Sequence, residues 1–110
     1  MPRVRGHMME GRRDANHAEV VHWYKQHGCT VVDLSTVGSG CSDLLIGCAG
    51  VTDLCEVKTL YGELSESQKR FNRDWNGSKS WKCTTLDDVN AHVCHMRARA
   101  RLLGKLNRAE

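Results

Sequence analysis

The chain has 110 residues, 40% of them hydrophobic and 26% charged, with ten glycines and a single proline, Pro2. That length supports one hydrophobic core and not two, and the composition excludes collagen-like and strongly disordered classes. Its longest apolar runs, such as Leu44-Leu45-Ile46, fall far below the ~18 residues of a membrane span, and the basic start MPRVRGHMMEGRR has no apolar stretch behind it, so a cytoplasmic protein with no membrane contact is expected. The net charge of +3 is unevenly spread. Residues 1–13 set four arginines against Glu10, residues 97–110 set five basic groups against Glu110, and residues 14–96 hold seven Lys/Arg against eleven Asp/Glu. Basic ends around an acidic centre suit a polyanion-binding protein whose centre holds cations, and suit two solvated tails equally well. The expected division is a basic arm over 1–13, one domain over 14–96, and a basic helix end or tail over 97–110.

In chain order, a helix is predicted from Asp14 or Asn16 to about Gln26, with Val20, Val21, Trp23 and Tyr24 as an imperfect apolar stripe and Gly28 as its stop. Cys29–Leu34 reads as a short strand and Thr36–Gly40 as a glycine-marked turn. Ser42–Gly47 and Val51–Lys58 are the next two strands, split by Cys48-Ala49-Gly50. After the polar loop Thr59–Leu64 comes a second helix over Ser65–Trp75, then a short strand over Lys79–Cys83. A last helix starts at Thr85, with Thr85 and Asp88 in capping-box positions, and runs through Arg97 toward Leu103. The order is α-β-β-β-α-β-α.

Six scattered cysteines form no CxxC pair, and several fall in strand-like runs where Cys serves as a small hydrophobe. Free thiols are expected, and His92, Cys94 and His95 on one helix do not make a zinc site. Trp23, Tyr24, Phe71, Trp75 and Trp81 are expected in the core.

The chemistry is concentrated between Asp43 and Lys58. Alternation along Leu54-Cys55-Glu56-Val57-Lys58 puts Glu56 and Lys58 on one face, about 7 Å apart. If Ala49 and Gly50 form a two-residue turn, Cys48 pairs with Val51 and Asp43 falls opposite Glu56, with Cβ atoms roughly 5 Å apart. Two carboxylates so close raise each other's pKa unless a cation lies between them. Hard oxygen ligands in this arrangement suit Mg²⁺, which polarises a phosphodiester and lowers the pKa of water, with Lys58 placed to orient that water or neutralise developing charge. On its own, the solvated face of a hairpin accounts for these three residues more economically.

The wider pattern decides otherwise. Asp14-Ala-Asn-His-Ala-Glu-Val-Val21, Gly28-Cys-Thr-Val31, Val37-Gly-Ser-Gly-Cys-Ser-Asp-Leu-Leu-Ile-Gly47, Glu56-Val-Lys58, Leu64-Ser-Glu-Ser-Gln68 and Phe71 to Trp75 follow one another in an order that resembles the PD-(D/E)XK nuclease superfamily. Within it, the chain is most similar to small virus-type replication-repair nucleases (VRR-Nuc) and Holliday-junction-resolvase-like proteins of phages and bacteria. The resemblance covers about residues 14–90. It implies an α/β fold with a restriction-endonuclease-like mixed sheet of about four strands flanked by helices, and an endodeoxyribonuclease that uses Mg²⁺ or Mn²⁺ on duplex or branched DNA in a phage-infected or bacterial cell. It also implies a homodimer, since paired strand cuts need two active sites.

Carried over residue by residue, Asp43, Glu56 and the Val57 backbone carbonyl would hold the metal, and Lys58 would be the catalytic lysine. Glu19 would support the metal or its water shell, and Gln68 would face the site. Ser42 stands where the family pattern usually has proline. Glu19 and Gln68 also have local explanations: Asn16 could cap the first helix with Glu19 at its third position, and Ser65 with Gln68 has capping-box spacing. Arg12, Arg13, Lys69, Arg70 and Arg73 are candidate phosphate contacts, or plain solvated charges. The rival readings are a non-catalytic DNA-binding or regulatory protein on the same scaffold and a zinc-dependent interaction module.

Overall fold

The computed structural model describes residues 16–109. Helix α1 (His17–Gln26) turns His17, Val20 and Tyr24 inward, one side of a 3.6-residue repeat. It ends where expected: Gly28, at φ +83°, lets its own N–H reach the Lys25 carbonyl and the Cys29 N–H reach that of Tyr24. Its start differs from the expectation. Asn16 makes no side-chain cap; its amide instead donates to the carbonyls of Lys58 (3.1 Å) and Thr84 (2.8 Å), so the residue ties α1 to two distant segments.

Strands β1 (Thr30–Asp33), β2 (Leu44–Cys48) and β3 (Val51–Val57) form an antiparallel meander. Ala49 and Gly50, at φ +54° and +84°, make the tight turn between β2 and β3 whose twist matches that of the strands. The turn sets the predicted register, from Cys48 opposite Val51 to Leu44 opposite Cys55. Helix α2 (Glu66–Asp74) lies in the crossover to β4 (Trp81–Cys83), which pairs parallel to β3 and completes a mixed sheet in the order β1-β2-β3-β4. Helix α3 (Leu86–Ala109) begins at the predicted capping box, where Asp88 accepts from the Thr85 N–H and Thr85 from the Asp88 N–H. The fold is thus α/β, with a four-stranded mixed sheet and three helices.

The core occupies one side of the sheet. Leu44, Ile46, Cys48, Val51, Cys55, Val57 and Cys83 meet Val20 and Tyr24 of α1 and Val89, Val93 and Met96 of α3. Each Val, Leu, Ile or Met side chain among them contributes ~1.5–3 kcal/mol of burial. The cysteines are free thiols, with Cys29, Cys48, Cys55 and Cys83 buried as small apolar groups. Helix α3 continues past residue 96: Arg97 donates to the His27 carbonyl and Arg99 reaches Asp53. No helix among the described residues is long and apolar enough to cross a membrane. Alternation along β3 leaves Leu54 and Glu56 on the face away from this core.

Candidate active site

Asp43 lies one step beyond the last β2–β3 pair, and continuing that register places it across from Glu56. The Asp43 carboxylate accepts the Val57 N–H at 2.8 Å, which locks the start of β2 to the end of β3. Glu56 is 1% exposed, an expensive position for an acid. Its Oε2 accepts from the Gln68 amide at 2.6 Å, while Oε1 is buried with no hydrogen-bond partner among the described residues. Burial and the neighbouring Asp43 push the Glu56 carboxyl up to about 8; the Lys58 charge and the Ser42 hydroxyl pull the other way. The register thus brings Asp43 and Glu56 together, and the Lys58 charge acts on Glu56 from two positions along the strand.

The end of β3 is held from several directions. The Lys58 N–H donates to the Cys83 carbonyl at 3.0 Å, and the Lys58 carbonyl receives the Asn16 amide. Gly62 packs on the side chain of Lys58, where a Cβ would stand 3.4 Å from Cδ. Ser42 is fully buried and its hydroxyl bonds that of Ser80 at 2.8 Å. Its hydroxyl thus joins the Asp43 strand to the approach of β4.

Helix α2 brings Gln68 to Glu56. Ser65 caps the helix through the Gln68 N–H, and the Gln68 side-chain oxygen accepts the Ser65 N–H at 2.8 Å, leaving the Gln68 amide free for Glu56. Capping and site contact are one arrangement. Gly40, at φ +76°, lies so close to the first turn of α2 that a Cβ would collide with the Ser67 carbonyl. The glycine turn and the helix are thereby pressed together beside the carboxylates.

The other predicted residues scatter. Glu19 is exposed on the first turn of α1. Lys69 is exposed and pairs with Glu66 at 3.5 Å, Arg73 pairs with Asp74 at 2.9 Å, and Arg70 is exposed beside them. Arg12 and Arg13 lie outside the described residues. The core expectation for the aromatics holds for Tyr24, and Trp23 and Trp81 pack partly buried against the core. It fails for Phe71 and Trp75, because α2 buries none of its residues. The two rings stack on each other, centroids 5.3 Å apart, along a cleft of about 320 Å³.

Three features near the site had no clear sequence signal. The parallel β3–β4 register sets Lys82 beside Glu56, and strand alternation puts both on the same face. Ser42 and Asn16 act through partners 38 and 42 or more positions away. On the core side lies a further network: the fully buried His92 bonds the Tyr24 hydroxyl at 2.6 Å and Asp53 at 2.7 Å, stacks on Trp81, and shares Asp53 with Arg99. Both His92 ring nitrogens are engaged, which accounts for His92 without zinc.

Among the described residues no group of three or more His, Cys, Asp or Glu side chains is placed to hold a metal. Two carboxylates, one with a buried oxygen that has no partner among the described residues, fit the sparse protein ligation of Mg²⁺, which keeps waters and takes substrate phosphate oxygens. No family model matches the chain, and neither a curated protein nor a solved structure matches it significantly.

Proposed function

We propose that the chain is a metal-dependent endodeoxyribonuclease on a restriction-endonuclease-like scaffold of the PD-(D/E)XK type. The observation that carries this reading is Glu56, a buried acid opposite Asp43 whose Oε1 has no partner among the described residues. A carboxyl retained at such cost, beside a second carboxylate and a lysine, is better suited to a cation and an anionic substrate than to stabilising a hairpin. Asp43 and Glu56 would hold Mg²⁺ or Mn²⁺. The Val57 carbonyl would join them, since in extended backbone it opens toward the same edge as the Val57 N–H that reaches Asp43.

The metal, when bound, supplies Lewis acidity toward the phosphodiester and water. Lys58 stands next to Glu56 and offers a mobile positive charge to the scissile phosphate and to charge developing on it. Gln68 orients the Glu56 carboxyl through its amide, and Lys82 adds a second positive group on the same face. The exposed Lys69 and Arg70 would steer the DNA backbone without reading its sequence. A homodimer supplying two such sites belongs to the same proposal.

The test is cleavage of labelled linear duplex, single-stranded, flap and four-way-junction DNA with Mg²⁺, Mn²⁺ or EDTA. Wild type would run beside Glu56→Ala and Lys58→Ala. Metal-dependent cutting that both variants lose is the expected result. Salt-sensitive binding without cutting on any substrate would instead support a non-catalytic DNA-binding protein.

A further inference from the structure

Helix α2 and its C-cap residue carry two aromatic rings that the fold covers only in part, Phe71 being half-buried and Trp75 exposed. Phe71 and Trp75, one helical turn apart, stack with their planes within 16° of parallel, and Trp75 remains 45% exposed. The backbone of Gly77 comes so close to the indole that a Cβ there would lie 2.6 Å from Nε1. The indole is thus held in place by its neighbours while much of it faces water. Exposed, ordered aromatic surface of this kind is costly unless something covers it.

The cleft beside the stack defines what would cover it. Ser39, Ser67, Arg70, Phe71, Asp74 and Trp75 line about 320 Å³, at the small end of ligand clefts. Asp74, the acid in the lining, is held by Arg73 through two N–H groups at 2.9 and 3.3 Å, so its charge is offset. Arg70 contributes an exposed positive charge at the rim, close enough to Asp74 to favour that carboxylate's charged form, and the Ser39 and Ser67 hydroxyls can each donate or accept. Flat aromatic surface, polar groups of either sense and a cation suit a nucleobase with its phosphate, and favour no particular base.

We infer that this cleft takes an unpaired base of the DNA strand, stacked on the Phe71–Trp75 pair with its phosphate at Arg70. The inference rests on the nuclease reading only for the use made of the bound strand. The same helix that sends Gln68 to Glu56 presents Trp75 two turns later, about 10.5 Å along its axis, roughly three stacked base steps of ~3.4 Å. A base fully paired within a duplex has both faces stacked and cannot enter. The site therefore selects DNA with an unpaired nucleotide a few positions from the phosphate to be cut.

The test uses the full chain in EDTA and a fluorescein-labelled short single-stranded DNA, with the same strand annealed as a blunt duplex for comparison. Trp75→Ala and Phe71→Ala should each weaken single-strand binding by about tenfold, as expected for loss of a stacked base, and leave duplex binding within about twofold. Trp75→Phe should restore most of the affinity. Trp75 is exposed, so Trp75→Ala should keep the wild-type circular dichroism and melting temperature, which are measured for both variants because Phe71 is half-buried. Equal affinity of wild type and both alanine variants for the single strand, or no single-strand binding by wild type, would overturn the inference. Cleavage by wild type in Mg²⁺ is followed in parallel. Cutting without any effect of Trp75 removes the base site and leaves the nuclease, whereas a Trp75 effect without cutting removes the nuclease and leaves the base site.

Discussion

A single acid, Glu56, is where the proposed function would run against stability. Replacing it with glutamine keeps the shape and the polar contact with Gln68 while removing a charge that the site must otherwise bury. Glu56→Gln should therefore stabilise the metal-free chain at pH values above about 8 by ~1–3 kcal/mol while abolishing cleavage. Urea denaturation in EDTA and a cleavage assay in Mg²⁺ check the two halves. Asp53 is the opposite case, a buried acid that the fold needs. It answers both His92 and Arg99, so Asp53→Ala strands a positive group and a ring nitrogen and should cost ~3 kcal/mol or more, with little change in the urea m-value. Asp53→Asn, which keeps an acceptor, should cost less.

Among the elements, the β2–β3 hairpin is the most informative. Its register was legible because Ala49-Gly50 is a two-residue turn between alternating strands, and one register then fixes where Asp43 falls. The last helix was legible in its cap and along most of its length, expected to run toward Leu103 and reaching Ala109; what Arg97 and Arg99 bond to, 70 and 46 positions away, was not. Helix α2 misled for a different reason. Phe71 and Trp75 have helical core spacing, but spacing reports only that two rings share a side, not that a layer lies opposite. The His92 network was illegible on the same ground, since each of its bonds closes over 39 or more positions. Gly40 is the element-scale test. Gly40→Ala imposes a left-handed backbone on a residue with a Cβ and drives that Cβ into the Ser67 carbonyl, so it should cost ~1–3 kcal/mol and lower cleavage by moving Gln68 off Glu56. Gly28→Ala, strained in φ but open in space, should lose stability alone.

Across the whole molecule, protons and the proposed metal would compete for one group. Without metal, the folded chain keeps a proton on Glu56 up to about pH 8, while the unfolded chain releases it near 4.5. The native state binds more protons in that window, so this contribution is complete below pH 4.5 and is lost as the pH rises through 8. His92 acts in reverse. Burial lowers its pKa, so its contribution is present above the ordinary value of 6.5 and is lost as acid protonates the unfolded chain first. Denaturation midpoints in EDTA should therefore fall on both sides of mildly acidic pH, and Glu56→Gln should flatten the alkaline fall. On the proposed function, metal would have to displace the Glu56 proton, so Mg²⁺ affinity should climb by up to about tenfold per pH unit below pH 8 and level off above it.

Helix α2 has one more consequence. It buries none of its residues and is held by its capping box, the Gly40 contact and the Gln68–Glu56 bond. Sub-global opening should begin there, with the amides of Lys69 to Asp74 trading deuterium well before those of β2 and β3. In Mg²⁺ with DNA bound, that exchange should slow, because substrate would supply the layer that the apo helix lacks. Time-resolved hydrogen exchange would then map a helix whose order is conferred by its ligand, in a molecule whose sheet needs none.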